Sequence, residues 1–256
     1  FSVVTAAYNV KPFLKAPVQS LIDQTFGFSR IQLILIDDGS TDGSGAICDA
    51  YAEQYPDNVV VVHKENGGVS SARNEGLKRV QGKYVSFLDA DDKLSVNAME
   101  EVFPFFEAHP ETDVVSIKMW FFDGQKGGHI LNYKYGDGSR VIDLEQEPFN
   151  PQLAVTSAFV RAEALKDIWF DTRLSYAEDA KLLQTVLIEK KTLGVVSTAH
   201  HWYRRRSSGQ ASAIQKSGDN EAWYIPYLTY FCQDIFDLCE ERFGSIPRFI
   251  QNTVAY

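Results

Sequence analysis

The sequence predicts an α/β fold in which helices flank a mostly parallel sheet. In the first half of the 256 residues, short runs rich in Val, Ile or Leu alternate with amphipathic stretches, which is the pattern of successive strand–helix–strand units. The runs are almost continuously apolar, as is typical of strands covered by helices on both faces. An apolar content of 45% is enough to build a large core. We therefore expect one large domain, alone or with an appendage.

Five strands are expected in the first half of the chain. They lie at residues 2–7, 31–36, 59–63, 84–88 and 114–117. The amphipathic stretches between them predict four helices, near residues 15–24, 44–54, 70–80 and 96–108. Strands that are separated by helices in this way are joined by crossover connections, so they run parallel.

The second half has a different texture. Residues 123–150 are rich in Gly, Asp, Tyr and Lys, which predicts a hairpin and a mixed sheet. Further elements are expected beyond it: helices near 161–168 and 177–189, a strand over 193–203, a polar loop over 204–219 and a long aromatic-rich helix over 221–242. No internal repeat is visible.

The overall charge excludes one class of function. The net charge is −9 and the isoelectric point is about 5.1, which argues against nucleic-acid binding through the whole surface. An anionic ligand must therefore be held locally. No apolar run reaches the ~20 residues that span a bilayer, so any contact with the inner face of a membrane would come through a partner.

The cysteines favour a reducing, cytoplasmic setting. There are three, Cys48, Cys232 and Cys239, with no CxxC motif. The last two lie on one predicted helix at a separation of roughly 10 Å, which is too far for a disulfide. The chain opens at Phe1, without Met and inside an apolar run, so we expect it to be part of a longer one.

Acidic residues gather where the first strands are predicted to end. Ligands of open α/β sheets bind beyond the carboxyl ends of the strands, and the sequences AYN, DDGS, ENGG and DADD follow the first four. Five carboxylates would repel one another there: Asp37, Asp38, Asp89, Asp91 and Asp92. We expect positive charge at this edge, for example Mg²⁺ or Mn²⁺ held by carboxylates and substrate phosphates. The alternative is that these residues form turns and helix caps, above all Asp92.

Two nucleotide-binding motifs are excluded. Gly43-Ser44-Gly45 begins like a dinucleotide fingerprint, but Cys48 stands at the third glycine position. Gly82-Lys83 is followed by Tyr84 instead of Ser or Thr, so it is not a P-loop. The sequence is therefore neither a dehydrogenase of the Rossmann type nor a P-loop NTPase.

Four motifs in register carry a family resemblance. VVTAAYN, LILIDDGSTDGS, ENGGVSSARNEGL and GKYVSFLDADD resemble the nucleotide-sugar-binding half of family 2 glycosyltransferases, which have the GT-A fold. Downstream, FDTRLSYAEDAKLL resembles the Glu-Asp motif of that family, and HWYRRRSSGQASAI resembles a segment of its bacterial surface-polysaccharide and teichoic-acid-like members. The resemblance implies a nucleotide-sugar-binding half over 1–122, an acceptor half of the same domain over 123–218 and a helical extension over 219–256.

The resemblance also implies roles for individual residues. Those implied to bind the nucleotide sugar are Thr5, Tyr8 and Asp38 at the base, Asn66, Gly68 and Arg73 around ribose and base, Asp89 at the ribose, Arg204 and Arg206 at the diphosphate, and Ala90. Asp91, with Asp89, is implied to bind Mn²⁺ or Mg²⁺. Asp179 is implied to be the general base, with Glu178 as the next candidate, and the loop over 207–218 has the composition of a lid.

Each assignment has a simpler alternative. Arg73 could belong to a solvated helix face, and the arginines over 204–206 could be a solvated charge run. Glu178 and Asp179 begin a predicted helix, where the helix dipole favours acids in any case. His200 and His201 are adjacent on a strand, so at most one faces the site.

Together these inferences predict an inverting, metal-dependent glycosyltransferase. It would move a sugar from a nucleoside diphosphate, with uridine favoured, to a hydroxyl of a glycan, glycoprotein or surface polymer. The alternatives are a nucleotidyltransferase, disfavoured because no glycine-rich loop follows the first strand, and a non-catalytic sugar-nucleotide-binding partner in an assembly. The apolar face over 221–242 either packs on the domain or forms a homo-oligomer interface.

Overall fold

The computed structural model describes residues 1–206 and 221–255, with no side-chain description at 221. In this part of the chain ten strands form one sheet: β1 (Ser2–Ala7), β2 (Gln32–Asp37), β3 (Val59–His63), β4 (Tyr84–Phe87), β5 (Lys93–Leu94), β6 (Val114–Asp123), β7 (Gly127–Gly128), β8 (Arg140–Asp143), β9 (Ala158–Arg161) and β10 (Thr192–Arg205). The main helices are α1 (Lys15–Ile22), α2 (Ser44–Gln54), α3 (Gly68–Leu77), α4 (Ala98–Ala108), α5 (Glu178–Lys190), α6 (Asp234–Phe243) and α7 (Arg248–Val254).

The strand order is β3-β2-β1-β4-β9-β6-β10-β5, with β7 beside β6 and β8 beside β10. The first four strands in this order are parallel, as predicted. Beyond them β9 runs antiparallel to both β4 and β6, which makes the second half a mixed sheet. The chain moves outward from β1 to β3 and then returns to β4 on the other side of β1. The gap between β1 and β4 is therefore the switch point at which such sheets bind ligands.

Helices cover both faces of the sheet, and the strand side chains alternate between them. Val3 and Leu33 belong to the core cluster beneath α1, α2 and α4, whereas Val4 and Ile34 belong to the cluster beneath α3, α5 and α6. All four residues are fully buried. This explains the near-continuous hydrophobicity of these strands, because the residues facing either side are removed from water.

Several boundaries differ from those predicted. The expected helix near 161–168 is only a 3-10 turn, Ala162–Leu165. Strand β6 continues to Asp123 because its aromatic run pairs with β10. Strand β10 reaches Arg205, so Arg204 and Arg205 lie in a strand rather than in the expected loop. The predicted lid over 207–218 lies outside the described residues.

The C-terminal segment is helical but irregular. It begins with a 3-10 turn, Glu221–Trp223, and a single α turn, passes through a π-helix, Tyr227–Gln233, and continues as α6. The wider π turn changes the helical period, so the buried face is narrower than predicted. Phe231, Ile235 and Cys239 are buried in the core below α5, whereas Tyr224 and Leu228 are 50% and 40% exposed.

The three cysteines are buried and none forms a disulfide, which agrees with the prediction that Cys232 and Cys239 are too far apart to bridge. Within residues 1–206 and 221–255, no helix combines the length and the apolar character needed to cross a bilayer.

Candidate active site

A cleft of about 1460 Å³ opens at the switch point between β1 and β4. One wall comes from the segments that follow β1, β2 and β4, and the other from β6, β10, the start of α5 and the C-terminal helical segment. It brings together most of the residues selected from sequence: Tyr8, Asp38, Asn66, Gly68, Arg73, Asp89, Ala90, Asp91, Glu178, Asp179, Arg204 and Arg206. Residues distant in sequence are thus concentrated in one cavity, as expected of a ligand site.

The carboxylate of Asp38 organises the loop before α3. It accepts hydrogen bonds from the backbone N–H groups of Gly67 at 3.0 Å and Gly68 at 2.9 Å, and from Lys64 Nζ at 2.5 Å. Asn66 Nδ2 donates to the Asp38 carbonyl at 3.0 Å. Asp38 is buried, and these hydrogen bonds hold the loop in its conformation. Lys64 was missed in the sequence, although it directly follows a strand.

The segment after β1 is fixed to the segment after β2. Asn9 adopts a positive φ of 51°, and its Oδ1 accepts a hydrogen bond from Thr41 N at 2.9 Å. The neighbouring Tyr8 is 51% exposed and lines the cleft, so its ring is available for stacking. Thr5 is placed differently. It is buried inside β1, does not line the cleft, and its hydroxyl has no hydrogen-bond partner in the described part of the chain.

Arg73 joins the two halves of the site. Its guanidinium donates to Asp89 Oδ1 at 3.0 Å, to Asp179 Oδ1 at 2.5 Å and to Glu178 Oε1 at 3.2 Å. The side chain is only 5% exposed, so the alternative of a solvated helix face is wrong. One buried cation therefore holds three carboxylates, which come from the end of β4 and from the start of α5.

Asp179 has the environment of a proton acceptor. Burial raises its pKa to about 7, Arg73 opposes that shift, and the charges of Glu178 and Asp89 add to it. Its second oxygen accepts from Val155 N at 3.3 Å. The residue before α5, Ala177, has a positive φ of 64°, a conformation that is costly for a residue with a Cβ. A general base works best when its pKa is near the working pH.

Arg204 and Arg206 hold the segment that follows β4. Arg206 contacts Asp91 Oδ2 through Nε at 2.8 Å and through Nη2 at 2.6 Å. Arg204 Nε donates to the carbonyl of Asp91 at 2.9 Å, and its Nη1 lies 3.1 Å from Asp123. Both arginine side chains are 16% exposed. They are part of the cleft wall. The alternative that the arginines over 204–206 form a solvated charge run is therefore wrong for Arg204 and Arg206.

Each of the five strand-end carboxylates has a basic partner. The pairs are Asp37 with His63, Asp38 with Lys64, Asp89 with Arg73, Asp91 with Arg206 and Asp92 with His201. Lys64, Arg73 and Arg206 supply positive charge to three of these carboxylates, so the chain itself provides part of the charge predicted from their crowding. The sequence does not predict these pairs, because the two members of each pair come from separate segments.

Asp92 has the structural role that was given as its alternative. It is fully buried beside the equally buried His201, and its Oδ1 accepts from Arg204 N at 2.7 Å. Burial raises its pKa to about 6. It therefore fixes the end of β10 from behind the cleft. The neighbouring His200 points to the other face of the strand, where its ring lies near those of Trp120 and Trp202.

The carboxylates at the cleft can fit a divalent cation that arrives with a phosphate ligand. Among residues 1–206 and 221–255, no three acidic, His or Cys side chains are grouped as a preformed metal site. Mg²⁺ and Mn²⁺ commonly use only one or two carboxylates plus substrate phosphates. Asp91 and Asp89 supply such oxygens, and burial together with the charge of Asp89 raises the pKa of Asp91. A cation would relieve that repulsion once Arg206 released one oxygen.

Other cleft residues were given no individual role from sequence, although Arg205 belongs to the arginine run over 204–206. Lys134, Tyr203 and Arg205 line one wall, and Tyr176, Trp223 and Tyr227 form a cluster of aromatic rings at another edge. The aromatic helix pattern gave a signal for the last two. No local sequence pattern identifies Lys134, because its burial depends on packing of the 3-10 turn Ile130–Tyr135 against the mixed sheet.

Two relatives match all or most of this chain. It is 42% identical to the minor teichoic acid biosynthesis protein GgaB of Bacillus subtilis over 100% of the chain and 28% of that protein. It is 34% identical to GgaA of the same organism over 91% of the chain and 52% of that protein. The chain thus spans about half or less of the length of these relatives.

Solved structures show the same fold. Staphylococcus aureus TarS 1–349 in complex with UDP-GlcNAc superposes with a TM-score of 0.70 at 23% identity, covering 94% of this chain and 74% of that one. The mannosyltransferase PcManGT of Pyrobaculum calidifontis, in complex with GDP-Man and Mn²⁺, gives 0.66 at 16% identity, covering 99% and 68%. The predicted GT-A fold is therefore confirmed.

The family model named glycosyl transferase family 2 matches residues 2–169. This range contains all four motifs that carried the resemblance, and it extends through β9 into the mixed sheet. The match disfavours both alternatives drawn from the sequence, since it describes sugar-transferring enzymes. The chain belongs to glycosyl transferase family 2.

Proposed function

We propose that this chain transfers a sugar from a UDP-sugar, with inversion, to a hydroxyl of a teichoic-acid-type polymer. The observation that carries the proposal is that the guanidinium of Arg73 contacts both Asp89, which follows β4, and Asp179. A donor site and a base are thus held in a single cleft. The names of GgaB and GgaA support the acceptor class, and the UDP-GlcNAc complex of TarS supports the donor.

The nucleotide is assigned to the wall formed by β1, β2 and α3. The exposed ring of Tyr8 is suited to stacking on a base, and Asp38 is suited to accepting a hydrogen bond from a uracil N–H. Asn66 and Gly68 belong to the same wall. Arg204 and Arg206 are the cations closest to the segment 89–91, and guanidinium groups match the oxygens of a diphosphate.

Asp179 is assigned as the general base. Its carboxylate takes the proton of the acceptor hydroxyl while that oxygen attacks the anomeric carbon of the sugar. The bond between this carbon and the diphosphate oxygen breaks on the opposite side, and the electron pair leaves with UDP. A single displacement of this kind inverts the configuration. Positioned proton transfer contributes roughly 10²–10⁴-fold to such reactions.

Asp91, with Asp89, is assigned to Mn²⁺ or Mg²⁺. When bound, the ion would stabilise the negative charge that develops on the departing diphosphate. The complex of PcManGT with GDP-Man and Mn²⁺ supports a divalent ion in this fold. Arg206 would then exchange one carboxylate oxygen for phosphate oxygens. The proposal also places the enzyme in the cytoplasm, which agrees with its three free cysteines.

A donor screen tests the proposed reaction. The chain is incubated with Mn²⁺ and UDP-, GDP-, CDP- or dTDP-sugars, with and without oligomers of ribitol phosphate, the polymer named in the description of Staphylococcus aureus TarS as a poly(ribitol-phosphate) β-N-acetylglucosaminyltransferase. The released nucleotide is separated by chromatography. We expect UDP release to exceed that of the other nucleotides. Release of pyrophosphate would indicate nucleotidyl transfer, and binding of UDP-sugars without any turnover would indicate a non-catalytic module.

A further inference from the structure

Three basic side chains converge on one wall of the cleft, and the roles assigned so far use none of them. Lys134 comes from the 3-10 turn Ile130–Tyr135, His129 directly precedes that turn, and Arg205 ends β10. All three line the cleft. The ring of Phe121 lies 5.7 Å from the His129 ring and 5.4 Å from the guanidinium carbon of Arg205. We refer to these three residues as the basic wall.

Lys134 is a buried residue whose ammonium group donates hydrogen bonds to neutral oxygens. It is 5% exposed, and Nζ donates to the Pro151 carbonyl at 2.8 Å and to Gln152 Oε1 at 2.6 Å. Both of these hydrogen-bond partners are neutral. Burial lowers its pKa to about 7. Since a buried cation is costly without an anion, an anionic ligand in the cleft would be attracted to this position.

Arg205 differs from the arginines on either side of it. Arg204 and Arg206 are engaged with Asp123 and Asp91. Arg205 instead lies against the rings of Phe121 and Tyr203, and its buried Nε has no hydrogen-bond partner among residues 1–206 and 221–255. This buried N–H therefore lacks the acceptor that such a group normally has, in a residue that lines the cleft.

The basic wall lies on the same side of the cleft as the proposed base. Lys134 holds Gln152 Oε1, and Gln152 Nε2 donates to the Ala154 carbonyl at 2.9 Å. The next residue, Val155, donates its N–H to Asp179 Oδ2 at 3.3 Å. A short chain of hydrogen bonds and covalent bonds thus connects the ammonium group of Lys134 to the carboxylate of Asp179.

We propose that Lys134 and Arg205 form a subsite for a phosphate group of the acceptor. The acceptor then carries a phosphate close to the hydroxyl that is glycosylated. The inference rests on the proposed function, because it takes Asp179 as the residue that receives the acceptor proton. Ammonium and guanidinium groups form short, charge-assisted hydrogen bonds to phosphate oxygens. A neutral glycan would leave the charge of the basic wall uncompensated.

The test measures phosphate binding while the donor site is filled. The chain is saturated with UDP and Mn²⁺ and titrated with ribitol 5-phosphate, ribitol and inorganic phosphate in a calorimeter. We expect ribitol 5-phosphate to bind at least about tenfold more tightly than ribitol, and inorganic phosphate to compete with it. Lys134→Met and Arg205→Gln should each weaken ribitol 5-phosphate by about tenfold, the effect of a lost charge-assisted hydrogen bond. The Kd for UDP should stay within about twofold.

Three controls make the result decisive. Lys126→Met removes an exposed lysine between β6 and β7 that does not line the cleft, and it should leave all affinities unchanged. Lys134→Arg keeps the charge and should retain the preference for phosphate. If thermal melting shows that Lys134→Met is unfolded, Arg205→Gln carries the test.

Two outcomes would overturn the subsite. One is equal binding of ribitol 5-phosphate and ribitol, without competition from inorganic phosphate. The other is an equal loss of UDP and ribitol 5-phosphate affinity in both variants, which would assign the basic wall to the donor diphosphate. Failure of the unaltered chain to bind UDP would instead contradict the proposed function.

Discussion

Arg73 Nη1 lies 2.5 Å from Asp179 Oδ1, and the Nη2 of the same guanidinium lies 3.0 Å from Asp89 Oδ1. The two carboxylates come from segments far apart in sequence, and neither could approach the other without a cation between them. The charges of Asp89, Glu178 and Asp179 are only partly balanced by one arginine. The site is therefore set to accept a further positive charge or to keep one carboxyl protonated.

The first prediction concerns this cation. Arg73→Met should lower the free energy of unfolding by about 3–5 kcal/mol, because it leaves buried carboxylates without a partner. Arg79→Met is the matched control, in the turn directly after the same helix. It breaks a partly exposed pair with Glu75 and should cost less than about 1 kcal/mol. Urea unfolding measures both, and equal losses would show that the buried network adds no stability.

The second prediction concerns the base. Asp179→Asn should keep the Kd for UDP within a few-fold while lowering transfer by about 10²-fold or more, because the amide cannot accept the proton. Glu178→Gln is the control, since it removes a neighbouring charge that also contacts Arg73. A larger loss of kcat in Glu178→Gln than in Asp179→Asn would assign the base to Glu178.

The third prediction is a pH profile. The pKa of Asp179 is raised to about 7, and only its ionised form accepts a proton. The value of kcat/KM for the acceptor should therefore rise with pH through about 7 and then level off. Below this range each unit of pH should lower the rate by about tenfold. A rate that is flat between pH 5 and 8 would exclude a base with this pKa.

The fourth prediction concerns the metal. If Asp91 and Asp89 hold a divalent ion together with the diphosphate, UDP should bind more tightly with Mn²⁺ than with a chelator, by about tenfold or more. Uridine, which has no diphosphate, should show no such difference. Asp91→Asn should abolish the Mn²⁺ dependence. Calorimetry with both ligands decides, and equal UDP affinities with and without Mn²⁺ would remove the metal from the proposal.

The parallel half of the fold could be predicted because each signal is local. Val3 and Val4 sit in one apolar run and face opposite core clusters, so the run itself reports burial on both sides. The ends of β6 and β10 could not be predicted in this way. Their register is set by pairing between distant segments, in which Arg205 opposes Asp123, and no local pattern encodes that contact.

The sequence predicts which acidic residues lie at the site, but not which basic side chains pair with them. Its acids follow strands, and strand ends meet at one edge of a sheet, so the position of Asp38 and Asp91 could be inferred. Their partners Lys64 and Arg206 depend on which loops pack together. The same is true of Lys134, whose burial follows from tertiary packing alone.

The last prediction concerns the C-terminal segment, where residues of one helix have opposite environments. Phe231 is buried against the core below α5, whereas Leu228, one turn earlier, is 40% exposed. Phe231→Ala should therefore cost about 3–5 kcal/mol through loss of burial and a cavity. Leu228→Ala, the control, should cost less than about 1 kcal/mol.

Because this segment contributes Phe231 to the core, deletion of residues 219–256 should unfold the chain. Light scattering of both variants tests the homo-oligomer predicted from the aromatic face, because a change of stoichiometry in folded Leu228→Ala would assign the exposed side to a subunit interface. A deleted chain that stays folded and active would show that this segment is not part of the core.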